Sequence, residues 1–256
     1  MRKLFPYLPS ILFIILLVSL WEIIVDFFNI NTLILPAPSV IFSVFLEHAL
    51  ILIPHILQTM LETILGLILA IFLGVLVAIA IRLSSLVRKT LFPLLIVSQT
   101  IPIIALAPLL LIWFGFTILP KVIIVTLVCF FPITVALVDG MGKINPQIIT
   151  LLQSMGASRL QILTIAELPG ALPSFFSGLR VATAYSVTGA IVGEYVGGYQ
   201  GLGIYMQNAA HSYAIALVFV VIIITSLLSI ILFGIVSILE YLLLPWYKEK
   251  KILFKS

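Results

Sequence analysis

Two glutamates stand inside sequence that is otherwise oily, each at the end of a run of small residues. Glu62 heads Gly66, Ala70, Gly74 and Ala78 at strict four-residue spacing, and Gly178, Ala182, Ser186 and Ala190 lead to Glu194 at the same spacing. That spacing puts each set on one ridge of a helix, and small side chains on a ridge let helices approach closely in lipid. A carboxylate within an apolar helix is costly, so it faces protein or water. Three roles fit. The ridges can be packing seams with a glutamate at a wetted helix end. Glu62 or Glu194 can line the outer mouth of a solute pathway. A proton-coupling carboxylate is the third. Gln99 belongs with them, because it lies mid-run in a stretch that ends at Pro102. A proline there frees backbone groups, which are tolerated only where protein or a water-filled cavity satisfies them. Pro108 is expected to repeat the break. The candidate pathway residues are therefore Glu62, Gln99, Ser186 and Glu194.

Catalytic chemistry finds no support in the residues. No His, Asp and Glu cluster falls at catalytic spacing, so the chain is not read as an enzyme. His48, His55 and His211 are too far apart in sequence to suggest a metal site. Cys129 is the single cysteine and sits in an apolar run, where it reads as a small hydrophobe. Gly142 and Lys143 are followed by Ile144 and lack the glycine spacing of a phosphate-binding loop. No stretch is basic and aromatic enough for nucleic acid.

The elements that must hold these residues are membrane helices. Of 256 residues, 63% are hydrophobic and 9% charged, with a mean hydropathy of +1.35. Soluble domains carry roughly 25% charged residues. The class is all-α integral membrane, a single transmembrane domain over 1–256 with its core at 50–245. Six runs reach the roughly 20 residues a crossing needs: about 9–28, 55–81, 91–114, 119–138, 175–195 and 213–244. They are continuously apolar, unlike the alternating strands of a membrane barrel. Arg2 and Lys3 precede the first run, but no small-residue cleavage site follows it, so it reads as a retained span rather than a signal peptide.

Charge placement sets the orientation. With both termini cytoplasmic, every one of the 13 Lys and Arg residues except Lys121 lies inside or at the inner interface. Residues 29–54 and 196–212 then lie outside, and Ser39 is placed to cap a short interfacial helix over 40–50. Trp21, Trp113 and Trp246 read as interfacial anchors.

Between the fourth and fifth spans lies a polar insert, about 139–174. Asn145 and Pro146 form a helix start, with Asn as N-cap and Pro at the first helical position. Gly156 offers a C-terminus or sharp turn. A second run begins at Arg159 and is expected to stop at Leu168 and Pro169. The insert is too small to bury Ile148, Ile149, Leu151 and Leu152 together. An exposed apolar helix with a cationic flank is a partner site.

Gly156 followed by Leu168 and Pro169 resembles the loop signature of ATP-binding-cassette (ABC) importer permeases. The family's Glu-Ala-Ala is replaced by Thr150, Leu151 and Leu152. The stretch Met155 to Gln161 is similar to the branch of nitrate, sulfonate, taurine and bicarbonate permeases. So are Leu35 to Ser39, Ile101 to Gly115, Phe130 to Pro132 and Gly201 to Gly203. The resemblance runs from about 35 to 244. It implies a type I importer permease fold in the bacterial cell membrane, multi-pass and paired as a homodimer. Two cytoplasmic ATPase subunits would grip the insert through Pro146, Ile149, Leu152, Gly156, Ala157, Ser158, Arg159, Leu168 and Pro169. ATP and Mg would be bound in those subunits, with no cofactor in this chain. An extracytoplasmic binding protein would deliver the solute, and membrane lipid would surround the spans. The stretch Tyr185 to Gly198 and the ending Leu239 to Trp246 resemble permeases for thiamine pyrimidine precursors. Sulfonate, nitrate or taurine anions are the alternative cargo. A secondary transporter or a membrane scaffold is the alternative of another class.

Overall fold

Lipid offers backbone groups no water, so a chain this apolar satisfies them within its own helices. A computed structural model describes residues 8–246, and the described residues form helices and no strand. Arg2, Lys3, Lys248, Lys250, Lys251 and Lys255, which carry part of the orientation argument, lie outside the described residues. In chain order the helices are α1 (Leu8–Phe27), α2 (Pro38–Leu83), α3 (Ser85–Ser98), α4 (Ile103–Phe114) and α5 (Leu119–Gly142). They continue with α6 (Pro146–Ser154), α7 (Arg159–Ile162), α8 (Leu168–Gly197), α9 (Leu202–His211) and α10 (Ile215–Leu243). Five of these units are long and apolar enough to cross a membrane, and the bent pair α3–α4 makes a sixth if it is one span.

Three expectations need correction. First, α2 does not begin near residue 55 after a separate interfacial helix. It runs unbroken for 46 residues through Pro54, about 69 Å at 1.5 Å per residue. Ile41 and Leu52 sit in one buried cluster with Leu202, Val220 and Val221, so α9 and α10 hold the N-terminal part of the rod. Ser39 is not its cap. Glu22 of α1 accepts from the Ser39 backbone N–H at 3.0 Å and from its hydroxyl at 2.5 Å. A carboxylate at a helix start satisfies orphan donors and suits the helix dipole.

Second, the third span is broken by a 100° bend between α3 and α4. Pro102 disfavours helical geometry in the residue before it, and the break falls at 99–102 around Gln99. Pro108 lies inside α4 and does not break it. Third, the second helical run of the insert does not stop at Pro169. Residues Arg159–Gly197 continue as one 39-residue segment. A π turn over Leu163–Glu167 precedes the proline, with the Leu168 N–H bonded to the Leu163 carbonyl. The wider turn accommodates the donor that proline lacks.

The small-residue ridges are packing seams. Gly66, Ala70, Gly74 and Ala78 are all buried on α2, as are Gly178, Ala182, Ser186 and Ala190 on α8. Both ridges pack on α5, the central helix. A Cβ on Gly66 would come 2.4 Å from Val125 Cβ, and one on Gly178 would come 2.5 Å from the Pro132 carbonyl oxygen. Trp21 is half-buried and packs on Phe219 with ring centroids 5.7 Å apart. Trp113 and Trp246 are exposed.

Candidate functional site

The insert is built as a rigid elbow. Asn145 Oδ1 accepts from the Gln147 N–H at 2.9 Å and starts α6 behind Pro146. At the other end the Ala157 N–H bonds Leu152 O at 3.0 Å and the Gly156 N–H bonds Gln153 O at 2.9 Å. This pair of bonds is the Schellman closure, and it needs a left-handed residue after the cap. Gly156 supplies it with φ of +81°. Ser158 then caps α7 in a capping box: its hydroxyl accepts from the Gln161 N–H, and Gln161 Oε1 accepts from the Ser158 N–H at 2.8 Å. Buried Glu167 accepts from Arg82 Nε at 2.9 Å, tying the insert to the end of α2.

The elbow sorts the expected contact residues. Pro146, Gly156, Ser158, Arg159 and Pro169 are exposed; Ile149, Leu152, Ala157 and Leu168 are half-buried. Leu168 packs into the core cluster beneath. The apolar residues that stand out from the surface are Ile148, Leu151, Met155 and Leu160.

Midway along α2, the two ridge glutamates converge. Lys121 Nζ of α5 donates to Glu62 Oε1 at 3.0 Å, and Gln58 Nε2 donates to the same oxygen at 2.7 Å. Glu194 accepts from Thr59 Oγ1 at 2.6 Å and from the Gly203 N–H at 2.6 Å. The Leu202 N–H donates to Thr59 Oγ1 at 2.9 Å, and the Gly201 N–H donates to His55 Nδ1 at 3.0 Å. Glu62 and Glu194 are fully buried, and Lys121 nearly so. The network joins α2, α5, α8 and the start of α9. His48 instead turns back to Val44 O, so the three histidines do not gather.

Gly201 is bound to that geometry. Its φ of 133° and ψ of 167° lie in a region essentially reserved for glycine. A Cβ there would sit 2.2 Å from Glu194 Cδ. Gly201→Ala is expected to destabilise the protein by at least about 2 kcal/mol, since backbone strain alone is about 1–3 kcal/mol. Thermal unfolding in detergent measures it. An unchanged midpoint would show that the loop relaxes without disturbing Glu194.

The third feature is an open cleft of about 670 Å³ on the α5 and α8 surface, reached by Gln99 from the α3–α4 break. Phe131, Asp139, Ser177 and exposed Tyr185 line it with small and apolar neighbours, and no Lys or Arg does. Of the four residues expected on a pathway, only Gln99 reaches this cleft. Ser186 is buried, donating its hydroxyl to Thr183 O at 2.9 Å.

Residues 66–243 match the family described as the binding-protein-dependent transport system inner membrane component. The chain belongs to that family. It is an ABC importer permease subunit, a multi-pass inner-membrane protein and not an enzyme. The secondary-transporter and scaffold readings fall away with this membership. The permease is 41% identical to the formylaminopyrimidine transport permease protein ThiX of Halalkalibacterium halodurans, over 64% of this chain and 66% of that one. It is 34% identical to a probable ABC transporter permease protein of Haemophilus influenzae, over 88% of this chain and 92% of that one. A putative aliphatic sulfonates transport permease protein of Bacillus subtilis is 26% identical over 96% of this chain and 90% of that one. In shape the permease resembles a chain of the inward-facing MetNI methionine ABC transporter, with a TM-score of 0.62 and 18% identity. That match covers 75% of this chain and 97% of the other, and it shows the type I permease fold.

Proposed function

We propose that this permease imports a thiamine pyrimidine precursor, a formylaminopyrimidine or a close relative. The observation that carries the reading is the 41% identity to a formylaminopyrimidine permease. The cleft supports it. Phe131 and Tyr185 offer aromatic faces, and the Gln99 amide both donates and accepts. A neutral, planar heteroaromatic ring suits that lining. A sulfonate suits it poorly, because Asp139 is the cleft's charged residue and no cation offsets it.

The permease works as a homodimer with both termini cytoplasmic, α5 and α8 of each copy facing a shared pathway. Two ATPase subunits dock on the elbow at 146–158, and a binding protein delivers solute at the Glu62–Glu194 end. ATP binding draws the two elbows together and opens the outer mouth; hydrolysis reverses it. The rigid caps on both sides of Gly156 support this role, since coupling needs an element that moves as a unit between two states. Of the residues expected to meet the ATPase, Pro146, Gly156 and Ser158 are exposed for direct contact, beside Ile148, Leu151 and Met155, whereas the Arg159 guanidinium turns back toward the α2–α3 turn. Ile149, Leu152, Ala157 and Leu168 support them from beneath, and Pro169 flanks the bend.

Uptake of labelled formylaminopyrimidine by cells expressing the complete transporter tests the cargo. Accumulation that excess taurine or alkanesulfonate leaves unchanged is the expected result. Accumulation of the sulfonate instead would overturn the pyrimidine reading while leaving the importer intact.

A further inference from the structure

We propose that a second cavity in the permease binds a phosphate group, presented by an anionic lipid headgroup or as free phosphate. This cavity is distinct from the cleft on α5 and α8. It measures about 340 Å³ and lies where the α2–α3 turn, the end of α5 and the elbow meet. Arg82, Arg88 and Arg159 line it, with Glu167 as the single carboxylate. Glu167 is engaged by Arg82. Neither Arg88 nor Arg159 pairs with a carboxylate among the described residues. The cavity therefore carries three guanidinium groups against one carboxylate, an excess of two positive charges.

The placement of Arg159 matters as much as its charge. Its Nη1 lies 3.5 Å from the Leu83 carbonyl oxygen, so the guanidinium turns back over the α2–α3 turn rather than away from the elbow. Arg88 faces the same space from the first turn of α3. Guanidinium forks match phosphate oxygens in geometry and charge. Ser85 and Gln153 add neutral donors at the wall, and Ile81 and Ile149 give an apolar side for the glycerol end of a lipid. Basic pockets between membrane helices suit anionic headgroups. The site joins α2 and α3 to the elbow, so an occupant would brace the element that carries force to the spans.

The test uses the full-length permease, with co-purifying subunits retained, stripped of lipid in neutral detergent. It is titrated with phosphatidylglycerol, phosphatidylcholine or inorganic phosphate, and retention is read by native mass spectrometry. Phosphatidylglycerol should be retained over phosphatidylcholine, and Arg88→Gln with Arg159→Gln should weaken its retention roughly tenfold. Arg88→Lys with Arg159→Lys should keep most of it. Lys89→Gln with Lys143→Gln removes the same charge beside the cavity and should change little. If inorganic phosphate displaces phosphatidylglycerol, free phosphate is the ligand; if it does not, the headgroup is. Equal retention by the arginine-to-glutamine variant would overturn the proposal, as would an equal loss in the lysine control. So would arginine variants that lose only a co-purifying subunit, since the arginines would then serve a protein partner.

Discussion

Gly156→Leu is expected to leave the permease inserted and folded yet reduce transport at least tenfold. A side chain at this φ of +81° costs about 1–2 kcal/mol. A Cβ there meets nothing within 4 Å, so the loss is backbone strain and not a clash. The loss of global stability is therefore limited to that strain. The angle between α6 and α7 changes instead, and an added leucine stands on the docking surface. Solute uptake into vesicles, assayed beside ATP hydrolysis, should show hydrolysis continuing while uptake fails. Gly156→Asn should retain most uptake, because asparagine tolerates the left-handed region. Normal uptake by Gly156→Leu would remove the elbow from the coupling path.

The second large effect concerns Lys121. Lys121→Met removes the cation beside Glu62 and leaves a buried carboxylate without its ion pair. Breaking a buried pair from one side costs about 3–5 kcal/mol. The variant should unfold at markedly lower temperature and accumulate poorly in membranes. Adding Glu62→Gln removes the stranded charge, and the double variant should recover most of the loss. A double variant whose loss equals the sum of the Lys121→Met and Glu62→Gln losses would show that the contact contributes nothing beyond its separate parts.

Much of this fold is legible in the sequence because lipid imposes a simple rule. Long apolar runs must be helices, so α1, α5 and α10 stand near their expected places. The Asn145–Pro146 start and the Gly156 turn are equally plain, since each residue type has a specific backbone use. Ser158 and Gln161 also spell a capping box, a signal available at four-residue range. Prolines mislead. Pro102 breaks its helix, while Pro54, Pro108 and Pro169 do not, because packing or a π turn absorbs the missing donor. The buried network is hidden for another reason. Glu62 and Lys121 are 59 positions apart and Thr59 and Glu194 are 135 apart, so only the packing of α2, α5 and α8 brings them together. Charge counting places Lys121 toward the outer side but says nothing of its burial against Glu62. On α6, Ile148 with Leu151 and Ile149 with Leu152 have the same spacing. Only the contact with the bundle decides which pair faces outward.

The most direct test of an ATPase-driven permease is affinity purification of the tagged chain from gently solubilised membranes, with ATP hydrolysis measured on the eluate. Our account expects an ATPase to co-elute with the native chain and to be lost when Ile148→Asp and Leu151→Asp are combined on the exposed face of α6. Recovery of the native permease alone, still moving solute into vesicles without ATP, would contradict it.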